Sequence, residues 1–137
     1  MAEELLHPVQ FEDAVAAGAY PIHIQPAAGR ESEYASLDDD HAYQIPDRSL
    51  CPKHLNNALV AGRGASATHQ ALAAIRVMTT TMAVGQAAGI AAAGIADLPG
   101  EPTASSVDVD DLRHKLQEAG AFLVETPSTV SCPLGCR

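Results

Sequence analysis

A chain of 137 residues has room for one domain at most, and its 47% hydrophobic content rests largely on alanine, with no Trp and two Phe. Alanine buries little area, so the core gains less than the count suggests and a partner surface is expected. A net charge of −9, with eight basic residues and no Lys/Arg cluster, argues against nucleic acid as a partner.

Met1 to Leu6 is acidic and lacks the basic and apolar regions of a secretion signal, so a cytoplasmic product is expected. Residues 8–19 read as a short helix carrying Phe11, Val15 and Ala16 inward and ended by Gly18. Tyr20-Pro21-Ile22-His23-Ile24 then alternates as a half-buried strand should. Residues 26–42 read as a solvated loop. Its Asp38-Asp39-Asp40-His41 run makes a poor metal site, because consecutive side chains point in different directions. A second extended piece, Tyr43-Gln44-Ile45-Pro46, leads into Arg48-Ser49-Leu50.

Ala58-Leu59-Val60-Ala61 is apolar on both faces and predicts a strand central in a sheet. Thr68 to Ile75 predicts a short helix with Leu72 and Ile75 inward. The threonines at 79–81 suit the start of a further helix, their hydroxyls satisfying free N–H groups. That helix runs to about Ala96 and stops at Asp97-Leu98-Pro99-Gly100. The uncharged run from Val77 to Ala96 is nominally long enough for a bilayer. It is built of Ala, Gly and Thr, however, which favours a buried helix over a membrane span.

Residues 100–106 read as a linker. Asp108 then caps an amphipathic helix with Val109, Leu112, Leu116 and Ala119 on one face, an Asp111/Lys115 pair, and Gly120 as its C-cap. Ala121 to Val124 predicts a short strand, and disorder is expected beyond Glu125. The three cysteines, Cys51, Cys132 and Cys136, imply no disulfide framework. Cys132 and Cys136 could clip a metal or bridge locally, but they are too few for structural zinc.

This inventory is unbalanced. A helix apolar all round must be covered all round, and a central strand needs flanking neighbours. The chain lacks the residues to supply both, so another polypeptide is expected to do so.

Gly62-Arg63-Gly64-Ala65-Ser66-Ala67 matches the dinucleotide fingerprint G-x-G-x-x-A formally. An independent nucleotide site is not expected, because a second helix follows where a βαβ unit needs a strand and an acidic residue. Taken with Ser66-Ala67-Thr68-His69, Arg76-Val77-Met78 and Gly85-Gln86-Ala87-Ala88-Gly89, the turn instead resembles the C-terminal FAD-contacting region of a family of FAD-dependent oxidoreductases. Phe11 to Ala14, Gly18 to Ile22, Tyr43 to Pro46 and Arg48 to Leu50 are similar to the same family. The likeness covers about residues 11–120.

The resemblance implies an α/β fold, an incomplete Rossmann-like FAD-binding portion completed by another chain. Residues 1–45 would end a substrate-domain region, 46–120 would form the C-terminal FAD segment, and 121–137 a tail. It implies FAD contacts from Arg48, Gly62, Arg63, Gly64, Ser66, Thr68, Arg76, Thr81, Met82 and Gln86, with His69 near the isoalloxazine to take a substrate proton. A structural role stays open for His69, Arg48 and Arg76, and simple helix packing for Gly85 and Gly89. Electrostatics agree with the resemblance. The positive end of the helix from Thr80 to Met82 would steady charge on a reduced flavin, and Gly62 and Gly64 would let backbone approach a flat ligand.

Three positions depart from the family: Asp47 where an aromatic is usual, Gly64 for a cysteine and Thr79 for a proline. They bear on the detailed site rather than on its frame. The expected function is that of a small subunit in a split FAD-dependent oxidoreductase transferring hydride from a substrate C–H to FAD. The expected partners are a larger flavoprotein subunit bearing G-x-G-x-x-G and a small-molecule substrate. The alternatives are a non-catalytic interaction subunit that has lost flavin, or a truncated fragment.

Overall fold

Ala14 to Gly18 carries only small or β-branched side chains, and it forms a strand, β1 (Ala14–Gly18). The computed structural model, which describes residues 9–24, 33–37 and 41–124, pairs β1 antiparallel with β4 (Tyr43–Pro46). Ala16 stands opposite Ile45 and Gly18 opposite Tyr43, with a register shift at Val15. The helix expected over 8–19 is therefore corrected. An alanine-rich segment suits either state, and the ladder to β4 decides the matter by tertiary pairing rather than local preference.

The strand expected at Tyr20 to Ile24 is present as β2 (Ile22–Ile24). Its partner, β3 (Glu33–Ala35), lies inside the segment read as a loop. Asp38 to Asp40 lie outside the described residues. Gln44, Ile45 and Asp47 are all buried, so the β4 segment is an inner element and not a surface one.

Helix α1 (His69–Ile75) starts as the sequence predicts. The Thr68 hydroxyl accepts a hydrogen bond from the Ala71 N–H at 3.2 Å, filling one of the first-turn donors. Ala71, Ala74 and Ile75 are buried and Leu72 is half-buried, where α1 packs on β2.

Helix α2 (Met78–Ala96) buries Thr80, Val84, Ala87 and Ala91 against β1. Its threonines do not cap it. The N-cap is Val77, no side chain caps the first turn, and the Thr81 hydroxyl donates back to the Met78 carbonyl at 2.9 Å. The reason is register: the helix begins at Met78, which places all three threonines within its first turn or just beyond. The opposite face is open among the described residues. Met78 is 76% and Met82 68% exposed, and nothing lies within 4 Å of where a Cβ on Gly85 or Gly89 would stand. No described helix is long and apolar enough to cross a membrane.

Helix α3 (Val109–Glu118) forms where the sequence predicts, except that Ala119, read as part of its apolar face, is exposed and stands as the C-cap, with Gly120 just beyond it. The Asp108 carboxylate accepts from the N–H groups of Asp110 and Asp111, Leu112 and Leu116 are buried, Lys115 pairs with Asp111 at 2.6 Å, and Gly120 takes φ 79°. Two further strand expectations are corrected. Ala58 to Ala61 is irregular and joins no ladder among the described residues, with a backbone bond from the Val60 N–H to the Leu50 carbonyl at 2.8 Å. Strand preference there finds no neighbouring strand among the described residues to satisfy it. Ala121 to Val124 is irregular; Leu123 is buried, and the Gln44 side-chain amide donates to the Val124 carbonyl at 2.6 Å.

The core forms where β1 and β4 meet α2 and α3, around Val15, Tyr43, Ile45, Leu50, Val84, Leu112 and Leu116. The architecture mixes α and β, with two antiparallel two-stranded sheets among the described residues. No parallel pair of the Rossmann kind is present among the described residues.

Candidate functional site

The chain between Leu50 and α1 is irregular, yet it is fixed at several points. Val60 is bonded to Leu50, the Ser66 N–H donates to the Ser49 carbonyl at 2.7 Å, and Ala65 is buried. Between these anchors Gly62–Gly64 makes a 3-10 turn. Gly62 adopts φ +66°, a region that side chains disfavour, and a Cβ on Gly64 would stand 2.5 Å from the Val60 side chain. Both glycines are therefore required by the turn itself.

The turn packs against the start of α2. A Cβ on Gly62 would lie 4.0 Å from that of Thr81, so the glycine turn and the first turn of the long helix are neighbours. Ser66 and Thr68 continue the loop into α1, with Ser66 exposed and the Thr68 hydroxyl committed to its cap. Arg63 and His69 are exposed, as are Met82 and Gln86 along α2.

His69 and Arg76 share a small depression of about 70 Å³ with Ile24 and Leu72. The Arg76 guanidinium donates to the His23 carbonyl at 3.3 Å, tying α1 to β2. Arg48 is engaged elsewhere: it pairs with Asp13, its backbone N–H donates to the same carboxylate at 3.1 Å, and its guanidinium lies 4.9 Å from the Phe11 ring centre. The structure thus gathers Gly62, Gly64 and Thr81 in one place and His69 with Arg76 in another, while Arg48 braces β1.

Sequence reasoning did not foresee the burial of three polar groups, Tyr43, Thr80 and Asp47. Tyr43 is 2% exposed and its hydroxyl lacks a hydrogen-bond partner. Burial pushes its pKa up to about 12, and Thr80 and the Tyr20 backbone, close by, temper that rise without completing a bond of good geometry. Thr80 itself is buried. Asp47, noted only as a departure from an aromatic, is 6% exposed with Oδ1 unpartnered. Burial first, and the neighbouring Asp13 second, push its carboxyl above the ordinary range. The Cys51 thiol is likewise pushed up by burial and by Asp47 and Asp13, which keeps it protonated and a weak nucleophile. Nothing local distinguishes these residues, since each owes its burial to segments distant in sequence. No cluster able to hold a metal occurs among the described residues.

An uncapped helix N-terminus beside a glycine turn suits the electron-rich edge of a flat heterocycle, where N–H groups and the helix's positive end meet developing negative charge. The residues present therefore fit a flavin edge. That class of site accords with the comparison of families: the model described as FAD dependent oxidoreductase matches residues 1–116 of the 137. The chain belongs to the FAD-dependent oxidoreductase family. No curated protein and no solved structure matches it.

Proposed function

We propose that this chain supplies the flavin-side loop and helix of a split FAD-dependent oxidoreductase, whose larger subunit carries the G-x-G-x-x-G nucleotide unit. The observation that carries the reading is the juxtaposition of the Gly62–Gly64 turn with the uncapped first turn of α2. When bound, FAD supplies acceptance of hydride from a substrate C–H.

The chain's own residues then have defined tasks. The first N–H groups of α2 steady negative charge on the flavin edge, a contribution of about 0.3–1 kcal/mol for a helix terminus at a partly exposed site. Gly62 and Gly64 keep the turn low enough for the ring to approach. Arg63, Ser66 and Thr81 border that turn, and His69 takes the substrate proton, with Arg76 holding α1 against β2 behind it. Met82 and Gln86, on the open side of α2, face the larger subunit.

The test is co-expression with a candidate larger subunit, followed by purification and a visible absorption spectrum. A flavin band in the complex, lost when Gly62 is replaced by Val, supports the proposal. A stable but colourless complex supports a second reading, an interaction subunit without flavin. Asp47 favours that reading, since an unpaired buried carboxylate stands where the family carries an aromatic.

A further inference from the structure

Among the described residues, the open face of α2 runs its full length: Met78, Met82, Gly85, Gly89, Ala92 and Ala96 are all exposed and recur at helical spacing. The run from Val77 to Ala96 carries no charge, and the exposed charges that bound it, Arg76 and Asp97, have opposite signs. Bulk is unevenly shared along it. The two methionines project at the N-terminal end, the glycines leave the middle bare, and alanines make up the C-terminal end. Beside those alanines lies an apolar groove of about 240 Å³, lined by Leu59, Ala92, Ile95, Ala96 and Pro102 without any charged side chain.

This face is complementary to itself. The midpoint of the 19-residue helix is Ala87, and reversing the helix about that point carries Met78 onto Ala96, Met82 onto Ala92 and Gly85 onto Gly89. Each methionine of one copy then meets an alanine of the other at the groove, and the bare glycines meet at the centre, where missing Cβ atoms let two helix axes approach closely. Arg76 of one copy comes beside Asp97 of the other at each end. The peptide dipoles run in opposite directions, so unlike ends lie side by side. A parallel arrangement, by contrast, would set methionine on methionine and Arg76 on Arg76.

We propose that the free chain pairs with a second copy of itself through this face, the two α2 helices antiparallel about a two-fold axis at Ala87. Such an axis closes the pair as a dimer. The area makes it a weak one: a helix about 28 Å long presents a strip roughly 10 Å wide, on the order of 300 Å² a side, well under a permanent interface. The dimer therefore exchanges, with a Kd on the order of 100 μM, and is dissociated at the dilution of a thermal melt. Pairing of the free chain is independent of flavin; displacement of the second copy by the larger subunit, which faces the same side of α2, rests on the proposed function.

Sedimentation equilibrium of the full chain alone, from micromolar to millimolar concentration, tests the pairing. A reversible monomer–dimer equilibrium is expected, with no higher species. Met82→Ala and Ala92→Met, both at exposed positions, should each weaken the dimer about tenfold, the first by removing the knob and the second by filling its seat. The double variant should recover most of the parental affinity, because the same complementarity is restored with the two sizes exchanged. Asp97→Arg should weaken the dimer about threefold by setting like charges together. A chain monomeric throughout, growth beyond dimers, a dimer indifferent to these changes, or a double variant no tighter than the single ones overturns the proposal. A dimer whose complex with the larger subunit is colourless keeps this pairing and removes the flavin reading. A flavin band from a chain that never dimerises does the reverse.

Discussion

Asp47 is the residue whose chemistry is most at odds with its surroundings. Its carboxylate is buried, one oxygen is unpartnered, and Asp13 adds a like charge while Arg48 turns to Asp13 instead. Because the folded pKa lies above the unfolded value near 3.8, folding favours the protonated form. The associated stability is complete below the unfolded pKa and is lost as pH rises through the folded one. Asp47→Asn should therefore stabilise the fold at pH 8 by on the order of 1 kcal/mol, raise its melting temperature there, and flatten the decline of that temperature between pH 4 and pH 8. Thermal melts across that range check this, and a parental pH slope in the variant would contradict it. Glycine positions give the converse test. Gly62→Ala forces a side chain into φ +66° and should cost about 1–2 kcal/mol. Gly18→Ala drives a Cβ into the Tyr43 ring and should cost about 1–3 kcal/mol. Urea denaturation measures both.

At the scale of elements, α2 separates what the chain needs for itself from what it presents outward. Gly85 and Gly89 each weaken a helix by about 1 kcal/mol relative to Ala, and in this fold neither meets anything that requires a glycine. Gly85→Ala and Gly89→Ala should therefore stabilise the chain when melted alone. In the proposed complex the same changes should weaken association with the larger subunit, measured by calorimetry. For α3 the sequence and the structure agree, and Asp108→Ala should cost about 1 kcal/mol through loss of the cap. Such agreement marks what could be read locally. The cap at Asp108, the glycine that ends α3 at Gly120 and the C-terminal end of α2 depend on neighbours within a few residues, so the sequence declares them, whereas α2 starts at Met78, ahead of the threonines read as its beginning. β1 depends on β4, far along the chain, and its Ala-Val-Ala-Ala run is compatible with helix or strand until that pairing forms. Ala58 to Ala61 failed in the opposite sense, having strand character but no ladder among the described residues. The same division holds for the site. The turn, Thr81 and His69 enter the candidate site through family likeness alone, whereas the burial of Tyr43, Thr80 and Asp47 arises only from long-range packing.

For the whole molecule, the question is what its surfaces are shaped to meet. The core is complete on the side where α2 and α3 cover β1 and β4. On the other side, the Met78 and Met82 end of α2 is open and adjoins the glycine turn, which the proposed function places at the flavin. Exposed apolar surface next to a cofactor edge is the expected design of a site shared between two folded units. The most direct measurement is the visible spectrum of this chain purified in complex with a subunit carrying the G-x-G-x-x-G unit, beside the spectra of each component alone. A flavin band in the complex that is lost when Gly62→Val is introduced is the predicted result. A stable complex with no flavin, or a flavin spectrum identical with and without this chain, would contradict it.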